Sequence, residues 1–233
     1  MTNRNLSQYA SEHWDTYKKA ISEISKNDKG QPLVESDETL YNFDLICKSL
    51  FPENASPCST DGITFPRNAI ELVEFKSGFK QKITKWNYDP EQAKCPKYHE
   101  ECTDYYKIFW ENQDRKNSEL IESIKLKAIE SYMILEKHCL ASCSELEDSR
   151  RSRIVLRVVI DDDGINGIED VLSDVAGINP QNNTNNISSI RQALNRFIHH
   201  VDANGNEYFY DEVVVLTSID YLNYLNCLKL GIS

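Results

Sequence analysis

The stretch STDGITFPRNAIELVEFKSGF, residues 59–79, decides the predicted fold. Two apolar runs, 61–65 and 69–76, are separated by a short turn at 66–68, and this spacing predicts a β-hairpin. The second run is apolar enough to be a buried strand, yet it ends in the sequence Glu-Phe-Lys. Burying an unpaired carboxylate is costly, so the charged residues of this hairpin require an explanation.

The expected register of the hairpin brings three polar residues together. Successive side chains of a strand alternate between its two faces, so Glu74 and Lys76 share a face. A three-residue turn sets residue 65 opposite 69, and residue 61 then falls opposite 73. Asp61 therefore lies within one residue of Glu74, and we expect Asp61, Glu74 and Lys76 to converge at one sheet edge.

This convergence predicts a metal site. Hard divalent cations such as Mg²⁺ or Mn²⁺ prefer oxygen ligands, which Asp61, Glu74 and the backbone carbonyl of Phe75 can supply. Open positions would remain for water and a phosphate oxygen, and Lys76 could orient or activate the water or neutralise the phosphate. The alternative is a surface hairpin in which Glu74 and Lys76 form a solvated pair.

The rest of the chain predicts an α/β or α+β domain with a mixed central sheet. Apolar periodicity predicts an amphipathic helix over 5–26 and a second helix that starts near Ser36 or Asp37 and runs to residue 50. The other expected elements are a strand near 79–84, an irregular insertion at 86–117, a helix at 118–140 capped by Ser118, a strand at 153–160, a low-complexity loop at 179–186, a helix at 188–200, a turn at 202–206, a strand at 210–216 and a last helix capped by Ser218.

Charge and composition limit the possible partners. The 233-residue chain carries a net charge of −11, but residues 61–100 contain 7 Lys and Arg against 6 Asp and Glu. An acidic surface repels polyanions, so a nucleic acid would need a local basic groove. The candidate lining residues are Lys76, Lys80, Lys82 and Lys85; the alternative is a solvated lysine-rich turn.

The sequence also bears on compartment and on the cysteines. No run approaches 18 apolar residues, and the N-terminus lacks the apolar core of a secretion signal, so we expect a cytoplasmic protein without a membrane span. The 7 cysteines then read as reduced thiols, mostly buried. A zinc site is a further hypothesis. Its ligands would come from Cys95, His99, Cys102, His138, Cys139 and Cys143.

At Asp61-Gly62-Ile63 and Glu74-Phe75-Lys76 the sequence resembles the PD-(D/E)xK nuclease superfamily. The resemblance implies a restriction-endonuclease-like αβββαβ core, here about residues 36–163 of a single domain spanning 1–233. The helix at 5–26, the insertion at 86–117 and an αβα extension at 188–230 would be additions to it. Thr60 stands where the proline of the motif is expected.

The resemblance also implies roles for residues outside the hairpin. The first core helix of the family often adds an acidic residue to the site, which here would be Asp44, with Glu38 in reserve. The second core helix often carries a basic residue over the site, and Lys125 and Lys127 occupy such positions. Lys127 borders the apolar stripe of the helix at 118–140. The alternative for both lysines is an ordinary solvated pair.

Two functions follow as hypotheses. The first is a nuclease that depends on Mg²⁺ or Mn²⁺ and hydrolyses phosphodiester bonds, with DNA favoured over RNA, in defence, mobile elements or repair. Asp61, Glu74, Lys76 and Asp44 would be catalytic, and Lys80, Lys82, Lys125 and Lys127 would bind nucleic acid. The second is a catalytically inactive module on the same fold that binds a protein through its acidic surface or the insertion at 86–117.

Overall fold

The computed structural model describes residues 3–52, 55–66, 69–77, 100–140, 153–161, 190–195, 199–201 and 207–231. Its helices are α1 (Asn3–His13), α2 (Ile21–Ile24), α3 (Phe43–Leu50), α4 (Glu100–Ile134) and α5 (Ser218–Leu230). Its strands are β1 (Lys18–Ala20), β2 (Thr39–Asn42), β3 (Gly62–Thr64), β4 (Ala69–Lys76), β5 (Arg153–Ile160), β6 (His199–Val201), β7 (Glu207–Phe209) and β8 (Glu212–Thr217). A 3₁₀ turn covers Asp15–Tyr17, a π-helical turn at Leu135–Leu140 prolongs α4, and residues 190–195 are helical.

Six strands form one open mixed sheet in the order β1-β2-β3-β4-β5-β8. Neighbours from β1 to β4 are antiparallel, whereas β4, β5 and β8 run parallel. Strands β6 and β7 form a separate antiparallel pair. Parallel neighbours need a long connection, and α4 lies within the connection from β4 to β5. The predicted mixed α/β class is therefore confirmed.

Strands β4 and β5 are buried on both faces, which is why they read as nearly continuous apolar runs. Ile70 and Leu72 of β4 pack in the core that includes α1, α3 and α4. Val73 and Phe75 belong to a second cluster on the other face, with Tyr221 of α5. Glu74 follows Leu72 in the alternation and therefore lies on the face covered by α4.

The structure corrects the first predicted helix. Helix α1 ends at His13 instead of continuing to residue 26, and Trp14, which is buried, precedes the 3₁₀ turn. Strand β1 then pairs with β2 at the edge of the sheet. Periodicity was misleading here because Trp14 and Ile21 are both buried, but Trp14 follows α1 and packs in one core cluster, whereas Ile21 begins α2 and packs in the other.

The second predicted helix begins too early at Ser36 or Asp37. Residues Thr39–Asn42 form β2, and α3 starts at Phe43. The side chain of Asn42 accepts a hydrogen bond from the Leu45 N–H at 2.9 Å and so caps the helix. The residue that caps this helix is therefore Asn42, and not Ser36 or Asp37 as predicted.

Helix α4 is longer than expected, because residues 100–117 of the predicted irregular insertion are helical. No glycine or proline occurs between Pro96 and Gly164, so no strong helix breaker precedes Ser118. The apolar stripe of the helix predicted at 118–140 faces the core. Ile124, Ala128 and Leu135 are buried, and Ile121 and Tyr132 pack against the same core.

The later elements follow the prediction with local changes. Strand β5 has the predicted bounds 153–160. In the helix predicted for 188–200, Ile190 and Leu194 are buried, but residues 199–201 form β6. Thr217, not Ser218, caps α5 by accepting from the Asp220 N–H at 3.1 Å. The strand at 79–84, the loop at 179–186 and the turn at 202–206 lie outside the described residues.

None of the helices that the structure describes is both long enough and apolar enough to cross a membrane.

Candidate functional site

The hairpin places Asp61 beside the end of β4. Gly62 pairs with Val73 and Ile63 pairs with Leu72, a register one residue away from the predicted one. The N–H of Phe75 donates a hydrogen bond to Asp61 Oδ2 at 2.7 Å. This bond holds the carboxylate against the strand that carries Glu74, so the expected proximity of Asp61 and Glu74 is present.

Lys127 of α4 joins the two carboxylates. Its Nζ lies 2.8 and 2.9 Å from the two carboxylate oxygens of Glu74 and 3.1 Å from Asp61 Oδ1. The Glu74 side chain is fully buried, whereas the side chains of Asp61 and Lys127 are 23% and 25% exposed. One ammonium is therefore shared by the two carboxylates and offsets part of their charge.

Lys76 is held by a different residue of the same helix. Its Nζ donates a hydrogen bond to the Oγ of Ser123 at 3.0 Å. Ser123 and Lys127 are one helical turn apart, about 6 Å, while Glu74 and Lys76 are two strand residues apart, about 7 Å. These similar spacings let α4 contact both polar residues of β4.

A buried hydrogen bond fixes the segment that leads to Asp61. The backbone N–H of Thr60 donates to Ser131 Oγ at 2.8 Å, and neither residue is exposed to solvent. Ser131 lies one helical turn after Lys127 on α4. The helix therefore positions Asp61 through the neighbouring backbone as well as through the Lys127 ion pair.

The electrostatics of the site are dominated by burial. Burial and the nearby Asp61 carboxylate raise the pKa of Glu74 to about 8, while Lys127 and Lys76 act in the opposite direction. Burial alone would lower the pKa of Lys127, but the Glu74 and Asp61 carboxylates raise it above its ordinary value. Lys127 therefore remains an ammonium throughout the physiological range.

The other predicted acidic residues have partners elsewhere. Asp44 forms an ion pair with Lys48 and accepts a hydrogen bond from Ser59 Oγ at 3.2 Å. Glu38 pairs with Lys229 of α5 at 2.9 Å on the surface. A role for Asp44 in the site stays a prediction, while Ser59 connects it to the segment next to Asp61.

The predicted basic residues are only partly described. Lys125 forms an ion pair with Glu122 at 2.7 Å on α4. Lys127 lies within the carboxylate pair, so it contributes to the centre of the site and not to a solvated lysine pair. Lys80 and Lys82, together with Lys85, lie outside the described residues.

The donor chemistry suits a hard divalent cation, because the two acidic residues offer only carboxylate oxygens. Across the part of the chain that the structure describes, no three His, Cys, Asp or Glu residues are grouped so that they could hold a metal. Two carboxylates are available, and Lys127 contacts both. A divalent cation on this pair would have to displace the Lys127 ammonium, and both Mg²⁺ or Mn²⁺ at the pair and the Phe75 carbonyl as a third ligand stay predictions.

The zinc hypothesis finds no support in the described residues. Cys139 is buried in the core, and the ring of His138 stacks edge-on against Phe51 at 5.3 Å between centroids. Cys95, His99 and Cys143 lie outside the described residues, as does the side chain of Cys102.

Sequence reasoning missed a second charged cluster on the opposite face of the sheet. Arg157 of β5 forms an ion pair with Glu71 of β4, and the side chains are 13% and 3% exposed. The guanidinium also lies over the ring of Tyr224 from α5, 3.9 Å from its centroid. The available signal was that Glu71 and Arg157 each interrupt a strand that is otherwise apolar.

Ser123 was missed as well, and it could have been found. It lies four residues before Lys127, so both residues share one face of the predicted helix.

Comparison of the chain with protein-family models, with curated proteins and with solved structures finds no match.

Proposed function

We propose that the protein is a metal-dependent nuclease with a PD-(D/E)xK-like core, and that it hydrolyses phosphodiester bonds, in DNA more than in RNA. One observation carries the proposal. Asp61 and Glu74, separated by 13 positions, converge on a single cation, the Lys127 ammonium, at 3.1 and 2.8 Å. Carboxylates that share one positive charge at a strand end form the kind of pair that binds Mg²⁺ or Mn²⁺ in phosphoryl-transfer sites.

The topology supports the same proposal. A helix (α3), an antiparallel strand pair (β3 and β4), a long helix (α4) and a parallel strand (β5) agree with the implied αβββαβ core except for its third strand, predicted near 79–84, which lies outside the described residues. The acidic pair lies at the junction of β3, β4 and α4. This is also where the helix supplies Ser123 and Lys127.

The roles of the residues follow from their positions. Asp61 and Glu74 would hold a divalent ion, which when bound stabilises charge on the phosphate and makes a water more acidic. Lys76, on the same face as Glu74, would orient the attacking water or hold a phosphate oxygen through its Nζ. The hydroxyl of Ser123 accepts a hydrogen bond from that Nζ at 3.0 Å.

Incubation with plasmid, single-stranded DNA and RNA tests the proposal, with Mn²⁺ in one arm and EDTA in the other. We expect cleavage with Mn²⁺ that disappears in EDTA and falls by at least about 100-fold in Glu74→Gln and Lys76→Met. The controls Glu23→Gln and Lys19→Met remove a matching charge from an exposed ion pair far along the chain. Cleavage that survives EDTA, or that is undiminished in Glu74→Gln, would contradict the mechanism.

A second candidate is a catalytically inactive module on the same fold, and one observation favours it. Lys127 already forms an ion pair with both acidic residues, as expected for a site that needs no metal. Calorimetry with Mn²⁺ separates the two. Divalent binding that is lost in Glu74→Ala supports the nuclease, and its absence supports the module.

A further inference from the structure

Every carboxylate oxygen of the acidic pair already accepts a hydrogen bond. Lys127 Nζ contacts both oxygens of Glu74 and also Asp61 Oδ1, and the Phe75 N–H donates to Asp61 Oδ2. Each carboxylate oxygen keeps a further lone pair, so the hydrogen bonds alone do not exclude a cation. The obstacle is the positive charge of the Lys127 ammonium, which contacts both side chains. The incoming ion cannot simply add to the site as it stands.

Of the two donors, Lys127 is the one that can leave. The Phe75 N–H belongs to the backbone of β4, a strand paired on both sides. The Lys127 ammonium ends a flexible four-carbon stem, and a quarter of the side chain is open to solvent. Rotation of this side chain would release three hydrogen bonds without moving the sheet or α4.

The ammonium and a divalent ion also exclude each other. They would use the same oxygens, and like charges at such a distance repel strongly in a buried site. The observed N–O distances of 2.8 to 3.1 Å are longer than the 2.0–2.1 Å that Mg²⁺ requires. The carboxylates are thus spaced for an ammonium, and they must close by about 1 Å to hold Mg²⁺.

We infer that Lys127 is a resident counter-ion that competes with the divalent ion for Asp61 and Glu74, so that the ion binds only when the ammonium has left. The inference rests on the metal site of the proposed function and deepens it. It assigns to Lys127 a control over ion binding, in place of the phosphate contact expected from its position on the helix.

Mn²⁺ titration followed by calorimetry tests the competition. In Lys127→Met, which keeps the length of the side chain without its charge, we expect Mn²⁺ to bind at least about tenfold more tightly than in the wild type. Lys19→Met is the control, because it removes one positive charge from an exposed ion pair outside the site. We expect its Kd to stay within about twofold of the wild-type value. The double variant Lys127→Met/Glu74→Gln should lose the tight binding.

A second measurement needs no variant. Acetylation by an amine-reactive ester, followed residue by residue with mass spectrometry, reports how often the Lys127 amine is free in the wild-type protein. We expect Mg²⁺ to raise the labelling rate of Lys127 several-fold and to leave that of the exposed Lys19 unchanged. The labelling experiment still tests the competition if Lys127→Met does not fold.

The outcomes separate the inference from the proposed function. The inference is overturned if Lys127→Met binds Mn²⁺ no more tightly than the wild type, or if Mg²⁺ does not change the labelling of Lys127. Metal-dependent cleavage by the wild type would still support the proposed nuclease in that case. Tight binding in Lys127→Met without cleavage by any variant supports the inference and overturns the nuclease. If neither protein binds Mn²⁺ and the wild type does not cleave, both fail.

Discussion

The hydroxyl of Tyr224 lies 2.7 and 2.8 Å from the two carboxylate oxygens of Glu71, and this contact ties α5 to the central strand β4. Glu71 is almost completely buried, so its charge depends on the donors around it. Tyr224→Phe keeps the ring that stacks on Arg157 and removes only the hydroxyl. We expect the free energy of unfolding to fall by about 1 to 3 kcal/mol, because a buried acceptor loses a donor. Urea denaturation measures this change, and a loss below about 0.3 kcal/mol would contradict it.

Arg157 is the stronger member of the same cluster. Arg157→Met leaves Glu71 without its ionic partner, and we expect a loss of about 3 to 5 kcal/mol in the free energy of unfolding. Arg153→Met on the same strand is the matched control, because Arg153 pairs with Glu212 on the surface, where 57% of its side chain is exposed. Exposed pairs contribute about 0 to 1 kcal/mol, so the control should be nearly neutral. Equal losses of unfolding free energy in Arg157→Met and Arg153→Met would show that burial does not increase the contribution of the Arg157–Glu71 pair to stability.

Strands β4 and β5 could be predicted to the residue because burial on both faces leaves a continuous apolar run between polar ends. Because β4 is otherwise apolar, Glu74 could be identified as an unusual buried carboxylate. The spacing of the hairpin then predicted that Asp61 lies close to it. The role of Lys127 could be predicted only in part. Its position beside the helical stripe follows from the sequence, but the choice between solvent and the carboxylates depends on where α4 crosses β4.

Other parts of the fold could not be predicted because the local signals were ambiguous. Thr39–Asn42 reads as helix or strand, and the pairing of β2 with both β1 and β3 decides for the strand. The pair Glu71 and Arg157 lies 86 positions apart along the chain, and only the parallel register of β4 and β5 brings it together. Long-range pairing of this kind leaves no periodic trace in a single sequence.

The raised pKa of Glu74 predicts a pH dependence of stability. Its folded-state pKa is raised from 4.5 to about 8, so between these values the folded protein holds a proton that the unfolded chain releases. The contribution of Glu74 to stability is therefore fully present below about pH 4.5 and is lost as the pH rises to about 8. Relative to Glu74→Gln, which cannot ionise, the wild type should lose stability steadily across this window.

Thermal unfolding of both proteins at half-unit pH steps measures that difference. Glu23→Gln removes a carboxylate outside the site, from an exposed pair with Lys19, and shows the effect of the changed net charge alone. A wild type that gains stability over Glu74→Gln as the pH rises would mean that Glu74 is ionised in the folded protein at low pH.

The thiol of Cys47 should be inert in the folded protein. Burial raises its pKa to about 12, with a smaller effect from Asp44 in the same direction and an opposing one from the Ser59 hydrogen bond. Because the thiolate is the reactive form, alkylation at pH 8 should reach the exposed Cys58 and Cys227 long before Cys47. Iodoacetamide labelling with peptide mass spectrometry measures each rate, and denaturant should abolish the difference. Labelling of Cys47 as fast as that of Cys58 would contradict its burial.

Ser123 is expected to act as a positioning residue for Lys76, since its hydroxyl accepts from the Lys76 ammonium at 3.0 Å. In Ser123→Ala the ammonium loses this partner and becomes more mobile, so acetylation of Lys76 by an amine-reactive ester should rise several-fold. If the protein cleaves nucleic acid as proposed, kcat should fall about tenfold with little change in KM, because orientation matters most in the transition state. Ser11→Ala on α1, which removes a hydroxyl bonded only to the local helix backbone, is the control. Unchanged labelling of Lys76 would mean that the helix does not hold this lysine, and a rise in KM alone would assign Ser123 to substrate binding instead.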